Sequence, residues 1–338
     1  MYLKFHLICL LLGVTTMVAA QNPRFSQVQA SPLVLNPAFA GNFEGVVRSG
    51  VHFSHMSTQR ATIQHINAAI ELRGTGSKAA NGYNYFGVGF NFYNYGFNAA
   101  APLAASFPSL SAAYHFQLGK SGKHFMGVGA QFAYAFGRLD ETKGLDDPEI
   151  SGGGFRYVPT ATLNNTTADQ EYGNASLGMY YRYKGEDVTF ESGLSLYHLY
   201  LPRNDIFGTG SPSALRHRAT MNMRLDVKLN AHRTLSLHNV YWTNGLYWRS
   251  PAVAPDNITD QWLGFEIQNN KPNADARINY GLATRSFRSL IPHLSFFITP
   301  IANLRVSYEQ SINDGLLFDA RGARRIEAAF IMQFSGNK

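Results

Sequence analysis

The chain has 338 residues, of which 45% are hydrophobic, 13% aromatic and only 15% charged, with 31 Gly and a formal net charge of +7. No stretch approaches the ~20 continuous apolar residues of a helical membrane span. The one cysteine, Cys9, lies near the N-terminus, so the body of the chain has no disulfide, zinc–thiolate site or cysteine nucleophile. Apart from the pair Arg324-Arg325, Arg and Lys are scattered singly and form no run or motif, so no nucleic-acid partner is expected.

The basic start, the apolar run from Leu7 to Leu12 and the small residues Val18-Ala19-Ala20 read as a secretory signal peptide over 1–20, cleaved after Ala20. Bulky Ile8 precedes Cys9 and the apolar core continues past it, which argues against a lipoprotein. Residues 21–45, with Pro at 23, 32 and 37, are expected to be extended and irregular. They precede the first strand, so they tuck inside a barrel or sit on the periplasmic side.

From Val46 onward a period of two recurs. It is clearest around Met221–Lys228, where Ala219, Met221, Met223, Leu225, Val227 and Leu229 fall on one parity. Arg218, Thr220, Asn222, Arg224, Asp226 and Lys228 fall on the other. A strand puts each set on its own face, whereas a helix would scatter both. Similar alternation is centred on Val51, Ile66–Leu72, Phe86–Phe92, Leu110–Leu118, Met126–Phe136, Ala175–Tyr183, Phe190–Leu196, Thr234–Trp242, Leu263–Ile267, Ile278–Leu282, Ile291–Ile298, Leu304–Tyr308 and Ile326–Phe334. The apolar sets contain no charged residue. These features predict an all-β, transmembrane antiparallel barrel of about 14 strands over residues 46–334, greasy outside and wet inside. Residues 335–338 form a short tail.

Connections after the fourth, sixth, eighth and twelfth strands are short. Those after the third, fifth, seventh, ninth and thirteenth are longer, the longest spanning Arg138–Gln170. Long loops at one end and tight turns at the other is the outer-membrane pattern. The connection after the second strand (74–82) is nevertheless long for its side, and those after the first and eleventh are short for theirs. An even strand number puts both termini in the periplasm. Arg48, Arg182, Arg218, Arg224, Arg277 and Arg305 take the inward parity and give the lumen a basic character. Trp242, Trp248 and Trp262 lie near strand ends and read as an interfacial girdle.

The chemistry-bearing residues form no recognisable site. Ser111 with His115, and Ser236 with His238, lack a third member at catalytic spacing. His52, His65, His115 and His238 recur at no metal-ligand spacing, and Asp146, Asp147 and Glu149 lack the alternation of a calcium loop. Gly87-Val88-Gly89 and Gly127-Val128-Gly129 precede no helix, so they are read as room for lumenal side chains or relief of strand curvature, not as phosphate cradles. No catalytic residue, cofactor or metal is assigned, and the chain is not expected to be an enzyme.

Phe25-Ser26-Gln27 followed by Asn36-Pro37-Ala38-Phe39-Ala40-Gly41 resembles the start of the PorP/SprF family, outer-membrane components of the type IX secretion and gliding machinery of Bacteroidetes. Gly193–Leu199 with Pro202 is similar to that family's mid-chain strand. Leu304–Glu309 with Arg325-Ile326-Glu327 is similar to its closing hairpin, in which Tyr308 and Glu327 occupy family positions. The resemblance implies a barrel in the outer membrane that binds, helps export or anchors a secreted surface protein such as an adhesin, together with other type IX secretion components and outer-membrane lipid. The arginines motivate a different expectation, a porin-like channel for small anionic solutes.

Overall fold

The structure, a computed structural model, describes residues 25–57, 62–74, 77–79, 82–98, 103–140, 167–200, 217–244, 258–269, 277–312 and 323–335. The signal peptide, the acidic group at 146–149, Trp248 and the last three residues of the tail lie outside that set.

Fourteen strands close into an antiparallel barrel. They are β1 (Val47–Ser57), β2 (Thr62–Arg73), β4 (Gly82–Asn98), β5 (Leu103–Leu118), β6 (His124–Asp140), β7 (Thr167–Lys184), β8 (Val188–Tyr197), β9 (Arg218–Asn230), β10 (Arg233–Asn244), β11 (Ile258–Asn269), β12 (Arg277–Arg285), β13 (Ser289–Thr299), β14 (Ala302–Ser311) and β15 (Arg324–Phe334). The three-residue β3 (Ser77–Ala79) pairs only with β4, in the connection between β2 and β4. Neighbours in sequence are neighbours in the sheet, and two pairings complete the ring: β1 on β15, with Val51 opposite Phe330, and β2 on β4, with Ile70 opposite Phe90. Closure matters because lipid offers backbone amides no partner, so an open edge in the bilayer would leave them unsatisfied.

The alternation of the sequence becomes the alternation of the wall. Val51, Phe53, Ile66, Ile70, Phe86, Phe90, Leu110, Phe132, Leu177, Met179, Ile278, Ile326 and Phe330 are exposed on the outer face. His52, Ser54, His65, Asn67, Glu71, Asn91, Ser111, Gln131, Asn222, Glu266 and Glu327 are buried on the inner one. An exposed apolar exterior around a polar interior inverts a water-soluble fold, and lipid is the solvent that makes it stable.

The wall is uneven in height. β4, β5, β6 and β7 run to 17, 16, 17 and 18 residues, whereas a tilted strand needs only about 9–11 residues to cross a bilayer. Beside β8 the surplus lies at the end opposite the termini, where β7 runs on past the Leu177–Leu196 pair. Beside β2 it lies at the other end, where Gly82–Asn84 of β4 pair with β3. The loop expected over Arg138–Gln170 is therefore shorter than the sequence suggested, because Arg138 pairs with Asp169 and Asp140 with Thr167. A strand that has left the bilayer meets water on both faces and has no need of alternation, so the pattern stops before the strand does.

Candidate functional site: the lumen and its N-terminal segment

Residues 25–43 lie inside the barrel, and the exposed Glu44 marks the exit toward β1. They are not irregular throughout, as the prolines suggested, but take three single turns: 3-10 turns at Val28–Ala30 and Pro37–Phe39, and an α-turn at Pro32–Leu35. Pro32 and Pro37 each open a turn, the position where a missing amide hydrogen and a fixed φ do no harm. Asn36 sits between the second and third turns, and its side chain accepts the amide hydrogen of Ala38 at 2.9 Å. The segment starts near the tall rim at Phe25 and descends to Gly41, from which Val46 leads into β1.

Its upper end is held by charge. The amides of Ser26 and Gln27 both donate to the Glu327 carboxylate, at 2.7 and 2.8 Å. His52 bridges the same carboxylate (3.1 Å) and Ser31 (3.0 Å), and Asn67 donates to the Ser31 hydroxyl at 3.1 Å. The Ser26 hydroxyl donates to Glu309, which also accepts from Ser289 (2.8 Å) and Arg285 (3.1 Å). Arg285 reaches the carbonyl of Phe25 at 3.2 Å. The Phe25 ring stacks on His52 with centroids 4.1 Å apart and meets His65 and Tyr93 edge-on. Charge-assisted bonds of this kind contribute roughly 1.5–3 kcal/mol each when their partners are buried.

The lower end is held by shape. Glycines on the inner parity of β4, β6, β7 and β8 let the segment approach the wall backbone. A Cβ on Gly87 would stand 2.0 Å from the Ala40 oxygen, one on Gly129 2.6 Å from the Ala38 Cα, and one on Gly178 2.0 Å from Asn36 Oδ1. Gly41 (φ +74°) occupies the left-handed region, and a side chain there would itself run into Gly87. Asn36 Nδ2 donates to the carbonyls of Met179 (3.0 Å) and Leu194 (3.3 Å), Ser195 donates to the Leu35 carbonyl (2.7 Å), and Tyr197 to that of Val34 (3.0 Å). The two Gly-Val-Gly stretches thus make room chiefly for the backbone of this segment at Gly87 and Gly129, while Gly89 faces Leu33 and Gly127 faces Tyr180.

All the family-motif residues of the segment, Phe25, Ser26, Gln27, Asn36, Pro37, Ala38, Phe39 and Gly41, are buried in this arrangement. Glu327 faces them, whereas Tyr308 lies on the outer face and has no contact with them. The six arginines face the lumen and most are neutralised within the wall. Arg48 forms a bidentate pair with Glu71, Arg182 pairs with Glu191, Arg224 with Asp226 and Arg305 with Glu266. Arg218 lies over the Tyr197 ring at 3.8 Å and Arg277 over Phe297 at 4.7 Å.

Two of the three tryptophans correct the girdle reading. Trp242 and Trp262 are buried on the inner parity, in a cluster with Val28, Leu35, Phe39, Val240 and Ile291. The wide lumen needs bulk on the β10–β13 side to meet the segment, and two indoles supply it. Neither Ser/His pair is poised for catalysis. Ser111 accepts from Gln131 (3.0 Å), and His115 contacts the Tyr180 hydroxyl (2.8 Å) and the Ala40 carbonyl (2.7 Å). Ser236 donates to Asp226 and not to His238. Among the described residues, no three His, Asp or Glu side chains gather as metal ligands.

Similarity to known proteins agrees with this geometry. The barrel is similar to that of the toluene transporter TbuX from Ralstonia pickettii, at 12% identity and a TM-score of 0.52 over 88% of this chain and 92% of that one. It is also similar to a TodX deltaS2S3 mutant, a monoaromatic hydrocarbon channel, at 8% identity and a TM-score of 0.50 over 88% and 92%. At such identities the likeness speaks for the barrel fold alone. No curated protein matches the sequence. Residues 17–329 match the family described as type IX secretion system membrane protein PorP/SprF. A closed barrel with a lipid-facing exterior, built around that family's own N-terminal motif, makes this chain an outer-membrane member of the PorP/SprF family of type IX secretion system membrane proteins.

Proposed function

We propose that this barrel binds, helps export or anchors a secreted surface protein, an adhesin of the gliding or attachment type, and that it works by positioning and not by catalysis. The observation that carries the reading is the lumenal segment, since residues 25–41 occupy the path that a free pore would need. A protein whose interior is largely occupied by its own chain has its rims left for partners, and β7 rising past β8 enlarges the rim away from the termini. Other type IX secretion components are the natural partners for the opposite rim. The same observation weighs against a porin-like channel for anionic solutes, because most lumenal arginines are spent on neighbouring carboxylates.

The test is made in the bacterium of origin. Deleting the gene should remove at least one surface-exposed protein from intact cells, and a plasmid copy should restore it. An unchanged surface proteome contradicts the proposal. In planar bilayers the purified barrel should carry little steady current, and a stable open conductance would favour the channel instead.

A further inference from the structure

The segment does not fill the whole lumen. It leans on the β4–β8 wall, and among the described residues the side formed by β1 and β11–β15 stays uncovered toward the end that holds the termini. A cavity of ≈ 320 Å³ remains there, roofed by Gln29, Ala30 and Pro32 of the segment. Arg277 is the first residue of β12 and Asn303 the second of β14, so the mouth lies level with the turns at that end.

Four guanidinium groups, Arg48, Arg224, Arg277 and Arg305, line the cavity against two carboxylates, Glu71 and Glu266. Glu71 is taken by Arg48 and Glu266 by Arg305, while Arg224 turns to Asp226 at 2.9 Å. Arg277 meets no carboxylate among the described residues and rests on the Phe297 ring. Two buried polar atoms at the same place lack a partner: the Arg305 Nε donor and the Asn303 Oδ1 acceptor. An unpaired cation beside a spare donor and a spare acceptor fits a carboxylate with an amide N–H next to it, which is what a polypeptide presents. A simple anion would satisfy the cation and the donor and leave the acceptor unmet. The volume is at the small end of ligand sites, enough for roughly two or three residues.

We propose that this cavity binds a carboxylate-bearing stretch of a partner polypeptide, inserted from the mouth beside the termini. The idea rests on the reading of the barrel as a docking component and gives that component a second contact, on the rim away from the tall wall. The carboxylate comes from a chain terminus or from an acidic side chain.

Calorimetric titration of the purified full chain in detergent decides it. The probes are Ala-Ala-Ala with a free carboxyl terminus, N-acetyl-Ala-Asp-Ala-amide, the neutral N-acetyl-Ala-Asn-Ala-amide and inorganic phosphate. At least one acidic peptide should bind saturably and the neutral one should not. The free acid alone binding identifies a chain terminus, the capped Asp peptide alone a side chain, and either supports the proposal. Binding should weaken about tenfold in Arg277→Gln, the loss expected for one charged hydrogen bond, and return in Arg277→Lys. It should also weaken in the wild-type protein as salt is raised, a result that does not depend on a variant folding. No saturable peptide binding, binding indifferent to salt or to Arg277→Gln, or binding of phosphate without either acidic peptide overturns the proposal. Because the probes are synthetic, the outcome is independent of whether gene deletion alters the cell surface.

Discussion

The two ends of the lumenal segment are held by different physics. At Phe25–Ser31 the wall offers ionic side chains, with Glu327, Glu309, Arg285 and His52 meeting main-chain and hydroxyl groups. At Asn36–Gly41 it offers missing side chains, with Gly87, Gly129 and Gly178 leaving room that backbone and one asparagine occupy. The lesson is that a plug can be recognised either by filling its hydrogen bonds or by clearing its path. The charged end depends on few residues and breaks when one is lost, while the steric end is spread over four strands and breaks when something is added.

Three substitutions separate these modes. The largest effect is expected at Glu327→Ala, which removes the acceptor of two amides and of His52 and leaves Arg325 without one of its carboxylates. The loss should be about 3–5 kcal/mol in denaturant unfolding of the purified barrel, the usual cost of breaking a buried charged pair. Phe330→Arg tests the outer face against both ends. It lies midway along β15 opposite Val51, and a charge there should cost about 2–4 kcal/mol and lower the yield of heat-resistant barrel in membranes. Gly178→Val places atoms where Asn36 Oδ1 now sits, and overpacking of this kind costs about 1–3 kcal/mol. Its telling readout is conductance: a displaced segment should turn a silent barrel into one that passes current. If Gly178→Val is silent and unaltered in stability, the lower end is not held by shape.

The fold was legible because lipid imposes a rule on every strand that crosses it. All fourteen barrel strands carry the alternation that the sequence displays, and the tight turns at 119–123, 185–187 and 231–232 lie at one end. The tenth strand in chain order, β10, has the least distinct faces. There Asn239 takes the outward parity and is hydrogen-bonded by Gln261 at 3.1 Å, so polar pairing blurs the pattern. The lumen was harder to read. Trp242 shares the parity of Ser236 and His238, and Trp262 that of Glu266, so strict parity counting would have placed both indoles inside. The seat of the segment left one signal, the glycines at inward positions of successive strands. What they make room for becomes visible only when register brings Gly87, Gly129 and Gly178 around one chain. The pairing of Arg48 with Glu71 and of Arg182 with Glu191 likewise depends on register and so lay beyond sequence pattern.

The occupied lumen is tested most directly by thiol labelling, since Cys9 is the only native cysteine. Ser31→Cys replaces a hydroxyl that is 2% exposed inside the barrel, and Ser121→Cys places a thiol in an exposed turn. With a membrane-impermeant maleimide on the folded, purified protein, Ser121→Cys should label promptly and Ser31→Cys only after denaturation. Equal labelling of the two in the folded state would mean that the segment lies outside the barrel, and the account built on it would fail.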